Sequence, residues 1–261
     1  TSNRKAALAR LLATRMDPCM KIRGLSVDAF SVFPIERLDV GFVPRPWRFA
    51  DERRDEINAH FAEMQRRKPA LWNGRVLLLG DFAIHGGVFR GACFDVDYAS
   101  FISWQDWDFP DQSVRDCFAM GTILSSDGAF LLGEMGPHTF NAGQVYFPCG
   151  TPDLNDVAVD RVDFEGSIAR ELKEETGLGV AEFTAEPGWY TVLGGPAVAL
   201  MKLLRARETA AALRARILDH LARENVPELV DIRIVRGEGD LDPAMPPFVT
   251  SYLRHIWSRG A

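Results

Sequence analysis

The stretch Arg170-Glu171-Leu172-Lys173-Glu174-Glu175-Thr176-Gly177-Leu178 constrains this chain more than any other. It packs three carboxylates into less than two helical turns and then reaches a glycine. Glycine is the residue that most often closes a helix in the left-handed conformation. Glu171, Glu174 and Glu175 therefore fall at the negative end of the helix dipole, where carboxylates are disfavoured. Glu171 also repels Glu174 and Glu175 at three- and four-residue spacing. At about 100° per residue, Phe164, Ile168 and Leu172 form one apolar stripe, with Glu175 projecting into it and Glu171 at its edge. A half-buried carboxylate needs a partner. A divalent cation with oxygen ligands supplies one. The competing reading is a solvated face with Arg170 and Glu174 as an i,i+4 pair, and it leaves Glu175 on the apolar side unexplained.

Composition limits what such a site can serve. The chain has 261 residues, 47% hydrophobic and 25% charged, in the range of a soluble globular protein able to bury a full core. A net charge of −6 argues against a general nucleic-acid surface. An acidic chain acting on phosphates would need metal to neutralise them. No apolar run approaches the ~20 residues of a membrane span, and residues 1–20 lack the hydrophobic segment of a signal peptide. Cys19, Cys93, Cys117 and Cys149 form no Cys-x-x-Cys pair, which points away from zinc and disulfide chemistry and toward a reducing, cytoplasmic setting. Cys149 reads as a structural thiol, because no histidine partner is evident nearby in the sequence.

Hydrophobic periodicity and breakers place the elements. A short helix is expected over 4–15, within a flexible extension covering 1–19, and a strand from Met20 onward, broken at Pro34. A helix follows over 51–67, then a hairpin of strands 75–84 and 88–98 turning at Gly86-Gly87. Residues 99–113, rich in Trp, Asp and Pro, read as a connector. Strands are expected at 116–125, 129–134, 144–147, 189–193, 197–204 and 229–235. Helices are expected at 208–224 and 247–257. This mixture predicts an α/β (α+β) fold, with an N-terminal α+β subdomain over 20–113 and a second domain over 114–258.

Gly150 followed by Arg170–Leu178 resembles the signature box of the Nudix hydrolases, written Gly-x5-Glu-x7-Arg-Glu-u-x-Glu-Glu-x-Gly-u with u a bulky aliphatic residue. Every fixed position of the second half is matched, and Pro148-Cys149-Gly150 is similar to the family's approach to the loop. The first half departs from the pattern. Nineteen residues separate Gly150 from Arg170 where the family has thirteen, a six-residue insertion. The family's first glutamate falls on Asp156 when counted forward from Gly150, and on Val162 when counted back from Arg170. A longer excursion over 151–162 is expected, with the helix starting near Asp163 as its cap.

The resemblance implies an α/β/α sandwich with a mixed sheet over 114–258. It also implies Mg²⁺ or Mn²⁺ on Glu171, Glu174 and Glu175, with Arg170 holding the cluster by ion pairing and Glu171 as the candidate base. The implied reaction is hydrolysis of a diphosphate bond in a nucleoside diphosphate derivative, giving a nucleoside monophosphate and a phosphorylated moiety. Glu224, Glu228 and Asp231 are open candidates for a fourth acidic ligand. Lys68-Pro69-Ala70-Leu71-Trp72-Asn73-Gly74, between a helix and a hairpin, is similar to members that cleave nucleotide sugars such as UDP-glucose. Gly143-Gln144-Val145-Tyr146-Phe147-Pro148 resembles the approach in coenzyme A diphosphatases, which are the alternative. An alternative of another class is a non-catalytic nucleotide-binding sensor on the same fold. His138 is a candidate for phosphate contact, and Trp189 and Tyr190 for stacking on base or sugar. The expected partner is a small-molecule nucleotide, with neither nucleic acid nor membrane, and a homodimer remains open.

Overall fold

The computed structural model describes residues 30–69 and 71–260. The helix expected over 4–15, the extension over 1–19 and the beginning of the strand expected from Met20 lie outside the described residues.

β1 (Ser31–Ile35) and β2 (Arg37–Phe42) lead into helices α1 (Arg48–Glu52) and α2 (Arg54–Arg67), so the helix expected over 51–67 starts earlier and is interrupted at Arg53. The hairpin β3 (Arg75–His85) and β4 (Val88–Asp97) turns at Gly86 and Gly87, both at positive φ, as the turn requires. Helix α3 (Tyr98–Asp106) precedes β5 (Asp116–Leu124), β6 (Phe130–Met135), β7 (Val145–Tyr146) and β8 (Cys149–Gly150). Strands β9 (Val157–Ala158) and β10 (Arg161–Val162) come before helix α4 (Phe164–Thr176). The chain continues through β11 (Thr184–Ala185), β12 (Trp189–Gly194), β13 (Ala197–Arg205), α5 (Ala210–Leu221), β14 (Leu229–Val235) and α6 (Pro247–Ser258). No helix among the described residues is long and apolar enough to cross a membrane.

Two mixed sheets organise these elements. The larger runs β1-β12-β13-β5-β6-β14, with β13 parallel to β5, and the smaller runs β3-β4-β2-β10-β9, with β2 parallel to β4. Alternation along β5 assigns the layers around the larger sheet. Gly121 lies directly under Ile168 of α4, so the absence of a side chain lets that helix sit close. On the opposite face, the Thr122 hydroxyl lies 2.8 Å from the Tyr252 hydroxyl, and Phe118 meets Phe248 edge-on at 5.5 Å, both contacts to α6. With α5 beside α4 and packed on β14, the result is an α/β/α sandwich.

Two expectations are corrected here. Pro34 does not end a strand but lies within β1, paired with Tyr190. Among the described residues β1 is an edge strand, bonded only to β12, and an edge is where a residue without an N–H is tolerated. The connector expected over 99–113 contains helix α3, whose N-cap Asp97 accepts the Ser100 N–H at 3.0 Å. Its Trp104 is fully buried among Trp47, Phe94 and Phe101 in a second core, and its indole donates to the Asp111 carbonyl at 2.9 Å.

The two sheets also exchange strands. β1 leaves the N-terminal region to join the larger sheet, while β9 and β10 leave the loop after Gly150 to join the smaller one. Arg161 of β10 pairs with Gly41 of β2, and the Phe42 N–H donates to the Asp160 carbonyl at 2.7 Å. Arg161, Arg37 and Arg90 surround Asp39, and the Arg161 hydrogen bond holds that carboxyl below its usual range. At the tip, Val159 is fully exposed at φ 61°, a conformation that costs a residue with a Cβ about 1–2 kcal/mol. Val159→Gly removes that strain, at an entropic cost of about 0.5–1 kcal/mol. It is expected to raise stability slightly in urea unfolding, whereas a loss would show that the Val159 side chain contributes to the fold.

Candidate active site

Helix α4 starts where expected, with the Asp163 carboxylate accepting the Gly166 N–H at 2.9 Å. It ends on Gly177 at φ 72°, where the Lys173 ammonium donates to the Gly177 carbonyl at 2.8 Å. Phe164, Ile168 and Leu172 are buried, and the helix carries Glu175 (5% exposed) and Glu171 (9% exposed) inward with them. Glu174 turns to solvent.

The pairing of β8 with β5, Gly150 opposite Ala119 and Cys149 opposite Met120, brings the Pro148-Cys149-Gly150 turn under this end of the helix. Gly150 abuts the Glu171 carboxylate so closely that a Cβ there would collide with it. One oxygen of Glu175 accepts the Cys149 N–H at 3.3 Å. The other, Oε2, is buried without a partner among the described residues. Desolvation by burial pushes Glu171 up to about 7, against the opposing pull of Arg170 and with added repulsion from Glu174 and Glu228. Burial pushes Glu175 well above its ordinary value, helped by the charges of Glu171 and Glu228. Burial also raises the Cys149 thiol, with Glu175 and Glu171 adding to it; a thiol kept protonated is a poor nucleophile.

Arg170 ties the cluster to the preceding loop. Its guanidinium contacts both oxygens of Asp156 at 3.0 and 3.1 Å, Glu171 Oε1 at 2.5 Å and Glu174 Oε2 at 3.7 Å. Asp156 is itself buried and accepts the Asp153 N–H at 2.9 Å. Of the two positions left open by counting, Asp156 is thus the one bonded to the arginine, while Val162 is a buried apolar residue of β10. The added residues between Asp156 and Asp163 are the β9–β10 hairpin, closed by the Asp163 N–H donating to the Asp156 carbonyl at 2.7 Å. The forward count from Gly150 was the signal for Asp156; its bond to Arg170 spans the inserted hairpin. Asp156→Asn is expected to lower turnover about tenfold by loosening Arg170, with KM little changed. Unchanged kcat in steady-state kinetics would mean that Arg170 is positioned without it.

Among the described residues, no three acidic, histidine or cysteine side chains already enclose a metal site. Glu174 points outward, and Arg170 bonds to the Glu171 oxygen that borders Gly150. The surroundings nevertheless suit a hard cation. The available donors are carboxylate oxygens, one buried oxygen lacks any partner, and Gly150 leaves the Glu171 carboxylate unobstructed.

The remaining candidates divide by position. Asp231 is engaged by Arg214 at 2.6 Å and Glu224 stands 3.5 Å from His220. Glu228 precedes β14, and its charge acts on both Glu171 and Glu175. His138 is exposed on the loop after β6, beside Gly136, whose N–H donates to the Glu228 carbonyl at 2.7 Å. Trp189 faces the α4 side of the sheet with the Lys202 ammonium 5.0 Å from its ring centroid. Tyr190 faces the other side, against Tyr252 and His255. The structure brings together Arg170, Glu171, Glu175 and Asp156, while Trp189 and Tyr190 stand on opposite faces of the sheet.

No protein-family profile and no curated protein matches the chain. Among solved structures, it is similar to a Nudix hydrolase from M. smegmatis, RenU, at 18% identity and TM-score 0.36, covering 56% of this chain and 86% of that one. It is similar to DR0079 from Deinococcus radiodurans at 10% identity and TM-score 0.38, over 71% and 90% of the two chains. It is also similar to a MutT protein from Methanosarcina mazei Go1 at 16% identity and TM-score 0.36, over 56% and 96%. At these scores the neighbours lend no weight to a functional assignment, which stands on the acidic helix and its surroundings.

Proposed function

We propose that this chain is a Nudix-type hydrolase that cleaves the diphosphate bond of a nucleoside diphosphate derivative with the help of Mg²⁺ or Mn²⁺. The observation that carries the reading is the burial of Glu171 and Glu175 against the Cys149-Gly150 turn, with one carboxylate oxygen left unpartnered. Two desolvated acids side by side are costly in a folded chain, and a hard cation is the partner their oxygens suit. Glu171, Glu174 and Glu175 would hold the metal, with Glu228 as the best-placed fourth acid. When bound, it would neutralise diphosphate oxygens and acidify a water molecule. Glu171 accepts the proton of the attacking water, a task suited to a carboxylate whose proton affinity lies near neutrality. Arg170, anchored on Asp156, fixes the Glu171 carboxylate, and the turn at Gly150 lets it face the substrate.

Within this class a nucleotide sugar is the favoured substrate, on the likeness of the segment 68–74 to sugar-nucleotide-cleaving members, and coenzyme A is the alternative. The purified chain, assayed with and without Mg²⁺ against nucleotide sugars, coenzyme A, dinucleoside polyphosphates and nucleoside triphosphates, is expected to turn over at least one. Glu174→Gln is expected to suppress that turnover, and absence of metal-dependent turnover for every member would refute the hydrolase reading. The outward Glu174 and the Arg170–Glu171 pair favour a second reading, a nucleotide sensor without catalysis. Tight nucleotide binding without hydrolysis would select it.

A further inference from the structure

The pairing that sets Gly150 beneath Glu171 also makes Cys149 and Gly150 part of the wall of a cavity of about 290 Å³. That is near the ~300 Å³ lower bound of small-molecule sites. The cavity lies between the larger sheet and α3, so the N-terminal region completes it. Phe118 and Phe248, in edge-on contact, form one wall, and Phe140, on the loop after β6 and 54% exposed, stands at the rim.

Asp116, the first residue of β5, is the charged group in this lining. Its Oδ2 accepts from the Gln105 amide at 3.3 Å, while its Oδ1 is buried with no partner among the described residues. A buried acceptor without a partner costs about 1–3 kcal/mol; Oδ1 is itself shielded, and a turn of the side chain toward the cavity that Asp116 lines would give it a ligand partner. Burial pushes this carboxyl up to about 7, so near neutral pH it can present a donor beside an acceptor. Cys149 lines the cavity while its N–H donates to Glu175 at 3.3 Å, which places it between the acidic helix and the cavity. The cavity and the glutamates lie on opposite faces of the larger sheet and share the Cys149-Gly150 turn, so a diphosphate attached to a ligand in the cavity would have to pass this turn to reach them.

We propose that this cavity is a nucleobase subsite, in which Phe118, Phe140 and Phe248 contact the ring faces and edges while Asp116 and Gln105 read its hydrogen-bonding edge. The subsite deepens the hydrolase reading and rests on it for the position of the phosphates. It accounts for three features with one ligand: an aromatic wall, an exposed phenylalanine at the rim and an unpartnered carboxyl. A sugar or a pantetheine arm would use the polar groups but has no flat face to lay against the rings.

Calorimetric titration of the full metal-free chain with AMP, UMP, CMP, GMP and ribose 5-phosphate tests this. At least one nucleotide is expected to bind at least about tenfold more tightly than ribose 5-phosphate, the scale of one base stack. Asp116→Ala is expected to abolish that advantage and Asp116→Asn, which keeps a donor and an acceptor, to retain part of it. Phe140→Ala, at an exposed position, is expected to reduce it as well, and serves as the test if Asp116→Ala does not fold. Nucleotides binding no better than ribose 5-phosphate, or an advantage unchanged by these alanine variants, would overturn the subsite. Metal-dependent turnover with no base advantage refutes the subsite alone, and a base advantage without turnover refutes the hydrolase reading alone.

Discussion

Glu175→Gln is expected to cut metal-dependent turnover by at least about a hundredfold while making the metal-free protein more stable. The two effects have one cause. Glu175 is 5% exposed, one of its oxygens has no partner, and Glu171 and Glu228 add like charge. Replacing the acid by an amide of the same shape removes the charge that burial penalises wherever the acid would ionise, a gain on the order of 1–3 kcal/mol that grows with pH. That gain amounts to about 2–4 °C in Tm per kcal/mol for a chain of this size.

The sign of the pH dependence follows from the same groups. Both acids have folded-state values raised above the ordinary 4.5, Glu171 to about 7 and Glu175 well above 4.5. Between 4.5 and the folded value the native chain keeps protons that the unfolded chain has released. Stability therefore falls as pH rises through that window. The Tm of the metal-free protein should drop from pH 5 to pH 8, and Glu175→Gln should flatten the drop. Mg²⁺ should raise the wild-type Tm more at pH 8, above the raised value of Glu171, than at pH 5, where protons compete with the cation. A variant that loses stability at pH 8 would contradict the idea that the charge is uncompensated without metal.

Gly150→Ala is the second large effect, because one methyl group is placed where the Glu171 carboxylate lies. The backbone cannot move aside cheaply, since Gly150 is paired with Ala119 in the sheet. The carboxylate has to leave, which breaks its 2.5 Å bond to Arg170. Turnover is expected to fall about a hundredfold or more, with overpacking costing about 1–3 kcal/mol of stability. Circular dichroism melting separates the two, and a folded Gly150→Ala protein with wild-type kcat would show that Glu171 works from another position.

The inward turn of two of the three glutamates was legible because helical phase follows from spacing. The burial of Glu171 and Glu175 follows from helical phase relative to Phe164, Ile168 and Leu172, and Gly177 marks the helix end by conformation alone. What was not legible depends on residues distant in sequence. The hairpin after Asp156 takes its meaning from pairing Arg161 with Gly41, and nothing near Asp156 announces that it will bond to Arg170 across the added residues. Helix α3 was obscured by the tryptophans, aspartates and proline around it. Its cap, Asp97, sits at the end of β4, and its Trp104 packs against Trp47 in a core that also holds Phe94. Pro34 was a breaker by rule and a strand residue in fact, because only the finished sheet reveals that β1 is an edge. The cavity beside Gly150 likewise needs α3, β5 and α6 in place before Asp116 stands out.

If the buried glutamates of α4 form a metal site, the metal-free chain binds a divalent cation through them, which can be measured without knowledge of the substrate. Titration of the metal-free chain with Mn²⁺, followed by electron paramagnetic resonance of the free ion, is expected to show saturable binding that Glu175→Gln and Glu171→Gln each weaken at least about tenfold. Saturable binding of equal strength in wild type and both variants, or none in the wild type, would contradict the account.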